Sequence, residues 1–197
     1  MISLLCPAYL PNIRYFVWIL EQKKIYISGE TSYQKQTFRN RAEIYGANGK
    51  LKLIIPIRHI HNRSKQLDKN VKIAYDKDWQ HHHWKSICIA YQSSPYFEFY
   101  KSDLLPFYKE KTISLFDYNF NLLKQIISLI DLPFNFELVK WNSFDYKRMD
   151  QLISTKKELD IQFEIYTQVF DSKFGFINNL SILDLLFNQG PNSRKYL

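Results

Sequence analysis

Glycine is scarce in this chain, at five residues in 197. A loop that cradles phosphate through its backbone needs several glycines close together, because only a residue without a Cβ lets the main chain turn tightly against the ligand. Neither G-x-G-x-x-G nor G-x-x-x-x-G-K-[ST] occurs, which argues against a Rossmann cofactor site and a P-loop nucleotide site. G-x-S-x-G is also missing, so a hydrolase nucleophile elbow has no support. Cysteine is scarcer still. Cys6 and Cys88 stand far apart without metal-ligand spacing, the pattern of a reducing compartment rather than a disulfide scaffold. The apolar N-terminus lacks a basic flank and is broken by Pro7, Pro11 and Arg14, so it reads as neither signal peptide nor membrane span, and the expected location is the cytoplasm. No Gly/Ser-rich or Pro-rich linker, internal repeat or low-complexity tract divides the chain, and residues 1–197 are read as one domain.

Aromatic and basic residues are plentiful instead. A hydrophobic content of 46%, with 17% aromatic, excludes disorder and gives an aromatic-heavy interior or cleft. Lys and Arg outnumber Asp and Glu by 27 to 19, a formal charge of +8, which calls for an acidic partner. The densest basic group is Arg58, His59, His61, Arg63 and Lys65, followed by Lys35, Arg39 and Arg41. The charge does not choose among nucleic acid, an anionic membrane and a phosphorylated small molecule, but no helix-turn-helix, RNA-recognition or zinc-finger pattern accompanies it, which argues against nucleic acid. No cofactor is called for.

The expected fold is a single mixed α/β domain, with a small mixed sheet mainly from the N-terminal half and helices from the C-terminal half. Ile2 to Cys6 and Ile25 to Ile27 read as short strands, with a helix over residues 15–22 between them. Residues 39–45 and 51–57 flank Gly46-Ala47-Asn48-Gly49, which suits a hairpin loop of about four residues. Val71 to Ala74 reads as an edge strand. From Asp76 the period becomes helical: Asp78 can cap a helix in which Trp84, Ile87, Cys88 and Tyr91 fall on one stripe. Residues 114–130 carry the clearest amphipathic pattern, residues 134–139 alternate as a late strand, and residues 161–176 read as irregular chain. Ser181 with Asp184 three positions on, then Gly190-Pro191, brackets a final helix that is apolar all round and therefore buried. A carboxylate inside such a helix is costly unless it caps backbone donors or finds a partner, so Asp184 either caps its own helix or stands beside a site.

Few residues offer chemistry. Strand alternation puts Arg39 and Arg41 on one face and Asn40 on the other, and with Lys35 and Tyr33 nearby this makes a fork-shaped receptor for a diphosphate or carboxylate. His81, His82 and His83 are consecutive and cannot share a helix face, and no carboxylate completes a metal site with His59 and His61, so no metal is expected. Cys6 reads as a buried small hydrophobe.

The blocks Cys6-Pro7-Ala8-Tyr9-Leu10-Pro11, Tyr33-Gln34-Lys35 with Arg39-Asn40-Arg41, Trp79 with His83-Trp84 and Ala90-Tyr91, and Asn179-Leu180-Ser181-Ile182-Leu183-Asp184 occur in this order along the chain. Together they resemble the WbqC-like family, bacterial proteins associated with surface-polysaccharide (O-antigen) gene clusters. The chain departs from that pattern at Cys6, where many relatives carry Gln. The resemblance names a pathway, surface-polysaccharide or glycoconjugate assembly, better than a reaction. The leading expectation within it is a cytosolic transferase acting on a phosphate-bearing, nucleotide-activated sugar, with acyl or aminoacyl transfer as one form. His83 would be the base, Asp184 or Asn179 its orienting partner, Lys35, Arg39 and Arg41 the anion receptor with Asn40 beside them, and Tyr9, Tyr33 and Tyr91 the pocket lining. The competing reading is a binding or assembly protein whose basic, aromatic surface docks an acidic partner or nucleic acid.

Overall fold

A computed structural model of the chain describes residues 2–58, 66–133, 135–142, 145–155 and 161–197. The histidine and basic candidates from His59 to Lys65 lie outside the described residues, as does Phe134. The first strand, β1 (Ile2–Leu5), runs into the Pro-bracketed loop, where Asn12 caps α1 (Ile13–Leu20) by accepting the Tyr15 N–H at 3.2 Å. This cap starts the helix two residues before the expected position, directly after Pro11. α1 returns the chain to β2 (Ile25–Ile27), which pairs parallel to β1 with Leu5 opposite Ile27.

The hairpin is formed by β3 (Arg41–Gly46) and β4 (Gly49–Ile54), and Gly46 pairs with Gly49, so the loop is the two residues Ala47 and Asn48. Gly49 carries the positive φ of +93° that closes it. Val71 to Ala74 forms only isolated bridges, through Lys72 and Ile73, rather than a strand.

Helices α2 (Trp79–Tyr91), α3 (Phe97–Lys109) and α4 (Leu115–Leu129) follow. Asp78 caps α2 as its sequence suggests, and Ser114 caps α4 by accepting the Asp117 N–H. The buried face of α2 is rotated from the expected stripe toward Trp79, Gln80, His83 and Ile87, leaving Trp84 and Cys88 half-buried, because α2 packs on both α3 and β3. α3 contains Pro106, which reads as a breaker; burial of Tyr100, Leu104 and Tyr108 keeps the segment helical through it.

Two further short strands, β5 (Phe136–Leu138) and β6 (Tyr146–Arg148), complete a four-stranded sheet in the order β5-β2-β1-β6, every pair parallel. The fold class is mixed α/β as expected, with a parallel sheet and a separate antiparallel hairpin. After β5 has extended the sheet beyond β2, β6 returns to the far side of β1, so the chain reverses direction across the sheet between β1 and β6. In open parallel sheets such a reversal opens a crevice outside the carboxyl ends of the strands.

The last helices are the short α5 (Asp171–Phe174) and α6 (Ile182–Gln189), every residue from Ile182 to Asn188 being buried. Gly190 ends α6 at φ +53°, and a Cβ there would collide with the Tyr96 ring, whereas Gly175, at φ +72°, faces open space. Gly175→Ala is expected to cost roughly 1–3 kcal/mol from backbone strain alone. Gly190→Ala should add an overpacking penalty of roughly 1–3 kcal/mol, read from urea unfolding midpoints, and equal losses would show that Tyr96 yields freely.

Candidate functional site

Beyond the carboxyl ends of β1 and β6, the segments that follow them wall a cleft of about 450 Å³. Asn12 and Arg14 come from the start of α1, Phe38, Glu43 and Lys50 from the hairpin region, Gln151, Leu152, Ser154 and Thr155 from the stretch after β6, and Phe176 to Asn179 from the turn before α6. These pieces are tied by backbone. Ile13 N–H donates to the Leu180 carbonyl (3.1 Å), Ile182 N–H to Pro11 (2.8 Å) and Ser181 N–H to Glu43 (2.8 Å). Across the cleft, Phe38 N–H donates to Ile153 (2.8 Å) and the Thr155 hydroxyl to Gln36 (2.7 Å). Asn179 sits at φ +56°, a left-handed conformation that turns its Oδ1 onto the Arg14 N–H at 3.0 Å.

The cleft is cationic. Half-buried Arg14 has no carboxylate partner among the described residues, and burial pulls its pKa below the usual arginine range. Lys50 stands opposite, its Nζ 3.1 Å from Glu43 Oε2, and the N-terminal end of α1 adds partial positive charge. Side-chain amides from Asn12, Gln151, Gln162, Asn178 and Asn179 share the lining with the rings of Phe38 and Phe176.

Of the residues singled out in the sequence, Asn179 lines this cleft and the others do not. Arg39 lies before β3 rather than on its open face: its buried guanidinium donates from Nε to Asp68 Oδ1 (2.9 Å) and lies 3.4 Å from Asp150 Oδ1. Thr31 donates to the other oxygen of Asp68, and Arg148 also pairs with Asp150. Arg39 is thus a counter-ion inside a closed network, while Lys35 is exposed and Arg41 half-buried on β3. Tyr33 stacks 5.8 Å from the Arg39 guanidinium and reaches Asn40, whose Nδ2 holds the Ile55 carbonyl at 2.9 Å.

His83 and Tyr9 do meet, in the core. Tyr9 is fully buried rather than displayed on a loop, and its hydroxyl lies 2.9 Å from His83 Nδ1 and 3.1 Å from the Tyr108 hydroxyl. Burial is the main force pushing His83 down to about 4, with the Ile54 backbone opposing it, so the ring is neutral at physiological pH.

Asp184 belongs to a third cluster. It is completely buried, and instead of capping α6, where the Ser181 hydroxyl accepts from Leu183 N–H, its Oδ2 accepts from Tyr166 Oη and Gln168 Nε2, both at 2.7 Å. Tyr91 faces the same carboxylate, off the geometry of a good hydrogen bond, and its hydroxyl accepts from Tyr45 N–H at 3.1 Å. Burial pushes Asp184 up to about 6. The start of α1, the hairpin and the closing turn therefore share one cationic cleft, and the imidazole and the Arg39–Arg41 pair lie outside it. Sequence reasoning passed over Arg14, Glu43 and Lys50. For Arg14 a signal existed, a cation in the first turn after an Asn cap and a Pro-bracketed loop.

The model of the WbqC-like protein family matches residues 6–162. The chain belongs to that family. The match takes in α1, the hairpin and the stretch after β6, leaving the closing wall at 176–179 beyond it. An uncharacterized protein of Mycobacterium tuberculosis is similar to this WbqC-like chain, 26% identical over 225 residues that cover 96% of the chain and 94% of the relative. No solved structure matches. No helix among the described residues is long and apolar enough to cross a membrane.

The sign of the His83 shift sets a stability profile. An imidazole held at about 4 when folded and 6.5 when exposed stabilises the fold fully above pH 6.5, and that contribution disappears as pH falls toward 4. His83→Gln is expected to flatten the fall in unfolding free energy between those pH values by up to about 3 kcal/mol. Urea titrations at several pH values measure it, and an unchanged slope in the variant would contradict the assignment.

Proposed function

We propose that this WbqC-like protein is a transferase of surface-polysaccharide or glycoconjugate assembly that takes a nucleotide-activated sugar in the cleft between α1, the hairpin and the closing turn. The observation that carries this reading is Arg14, a half-buried guanidinium without a carboxylate partner among the described residues, facing a cleft of about 450 Å³. Partial dehydration strengthens what it can offer an anion, and its planar fork matches phosphate oxygens. In this reading Arg14 and Lys50 hold the diphosphate, the role first sought in Lys35, Arg39 and Arg41. The amides of Asn12, Asn178, Asn179, Gln151 and Gln162 suit sugar hydroxyls, and the rings of Phe38 and Phe176 suit an apolar sugar or base face.

In this reading Glu43 accepts the proton of an attacking hydroxyl or amine as an amide or ester forms with the acyl or aminoacyl group of an activated donor; the donor's acyl bond breaks and its leaving group departs with that proton. The bond from Glu43 to Lys50 would weaken when a phosphate competes for the ammonium, freeing the oxygen. His83 and Asp184, too deep to meet a substrate in the cleft, brace its surroundings.

Calorimetry and thermal melting with UDP-N-acetylglucosamine and other nucleotide sugars test the reading. The intact protein should be stabilised by about 2.7 kcal/mol at a ligand concentration one hundred times Kd. Arg14→Ala should weaken binding roughly tenfold or more, about 1.4 kcal/mol, while moving the ligand-free stability by no more than about 0.5 kcal/mol. No binding to any nucleotide sugar, together with salt-sensitive capture of nucleic acid, would replace the transferase reading with the docking one.

A further inference from the structure

We infer that Gln168 is a positioning residue of the cleft: its carboxamide, gripped by Asp184, clamps the peptide groups of Ile177 and so holds Asn178 and Asn179 at the wall facing Arg14. This rests on reading the cleft as the binding site. Gln168 lies in the stretch whose sequence reads as irregular chain, yet it is 1% exposed. Its Oε1 accepts the Ile177 N–H at 2.8 Å, and its Nε2 donates to the Ile177 carbonyl at 3.0 Å and to Asp184 Oδ2 at 2.7 Å. One side-chain amide thus does for Ile177 what a neighbouring strand would do, satisfying both donor and acceptor of a backbone that no sheet reaches. Tyr166 Oη donates to the same Asp184 oxygen at 2.7 Å and lies 3.3 Å from Nε2, so carboxylate, phenol and amide lock one another's orientation.

The neighbouring residues continue the join. Asn178 accepts the Phe163 N–H at 3.3 Å and donates to the Ile161 carbonyl at 2.6 Å. Asn179 is then carried into its left-handed conformation with Oδ1 on the Arg14 N–H. A positive φ at a residue with a Cβ persists only where its surroundings over-determine it, and here the clamp stands on one side and the entrance of α1 on the other. An apolar residue of the same length could fill the volume at position 168. It could not fix the direction of the Ile177 peptide, and that direction aims the two asparagines.

Amide hydrogen exchange on the ligand-free protein tests the clamp without depending on the function. Gln168→Met should speed exchange of the Arg14 and Ile177 amides by tenfold or more, leaving the β3–β4 hairpin and α4 unchanged. In the same variant UDP-N-acetylglucosamine affinity should fall about tenfold. Unchanged exchange at those amides, a rise spread evenly over the chain, or a local rise with full affinity would each overturn the positioning role. If the unaltered protein binds no nucleotide sugar, the functional reading fails and the exchange pattern still decides the clamp. Should Gln168→Met not fold, Tyr166→Phe keeps the volume and removes one bond to Asp184; a severalfold rise confined to the same amides supports the inference, and none overturns it.

Discussion

The cleft depends on a short splice between the two ends of the chain. Residues 11–14 and 179–182 exchange backbone hydrogen bonds in both directions, Ile13 to Leu180 and Ile182 to Pro11, with Asn12 bridged to Ser181. A pro-rich loop has few free donors, and a helix start has donors without partners, so each segment supplies what the other lacks. Because α6 is buried on every side, the splice is anchored in the core rather than laid on the surface. The result fixes the N-terminal end of α1, Arg14 and the left-handed Asn179 in one frame, and the Ser181 bond to Glu43 adds the hairpin to it.

Around this frame the protein uses buried polar networks as fasteners. Arg39 with Asp68, Asp150 and Arg148 ties the loop before β3 to the end of β6. Charges in such a network add little stability over an apolar packing of equal volume, and removing one partner would be costly because a lone buried charge remains. Their value is directional: a guanidinium fork and a carboxylate accept only a narrow set of approaches, which pins irregular segments that have no ladder to hold them. The Tyr9–His83–Tyr108 and Tyr166–Asp184–Gln168 groups serve the same end with neutral or single-charge partners. The two titrating members oppose each other. Acid destabilises through His83, whose burial favours the neutral ring, and relieves Asp184, whose burial favours the protonated acid.

Much of the fold was legible residue by residue, because the signals are local. Asp78 and Ser181 cap the helices that follow them, and the hairpin closes at its Gly pair. β6 and α3 left weak traces. Tyr146–Arg148 is a three-residue strand whose partner in the sheet is β1, more than a hundred residues earlier, and α3 survives Pro106 through its packing. Gln168 had no signal at all, since an isolated Gln gains meaning only from the peptide it meets.

The sequence by itself determined the family, the α/β class, the capped helices and the excess of cations. It could not say which cations remain available. Arg39 and Arg14 look alike in a list of residues, and only the tertiary structure buries one against two aspartates while leaving the other beside a cleft. The physical reason is that a charge's chemistry is set by its distance to other charges and to water, and those distances are fixed by chain segments far apart in sequence.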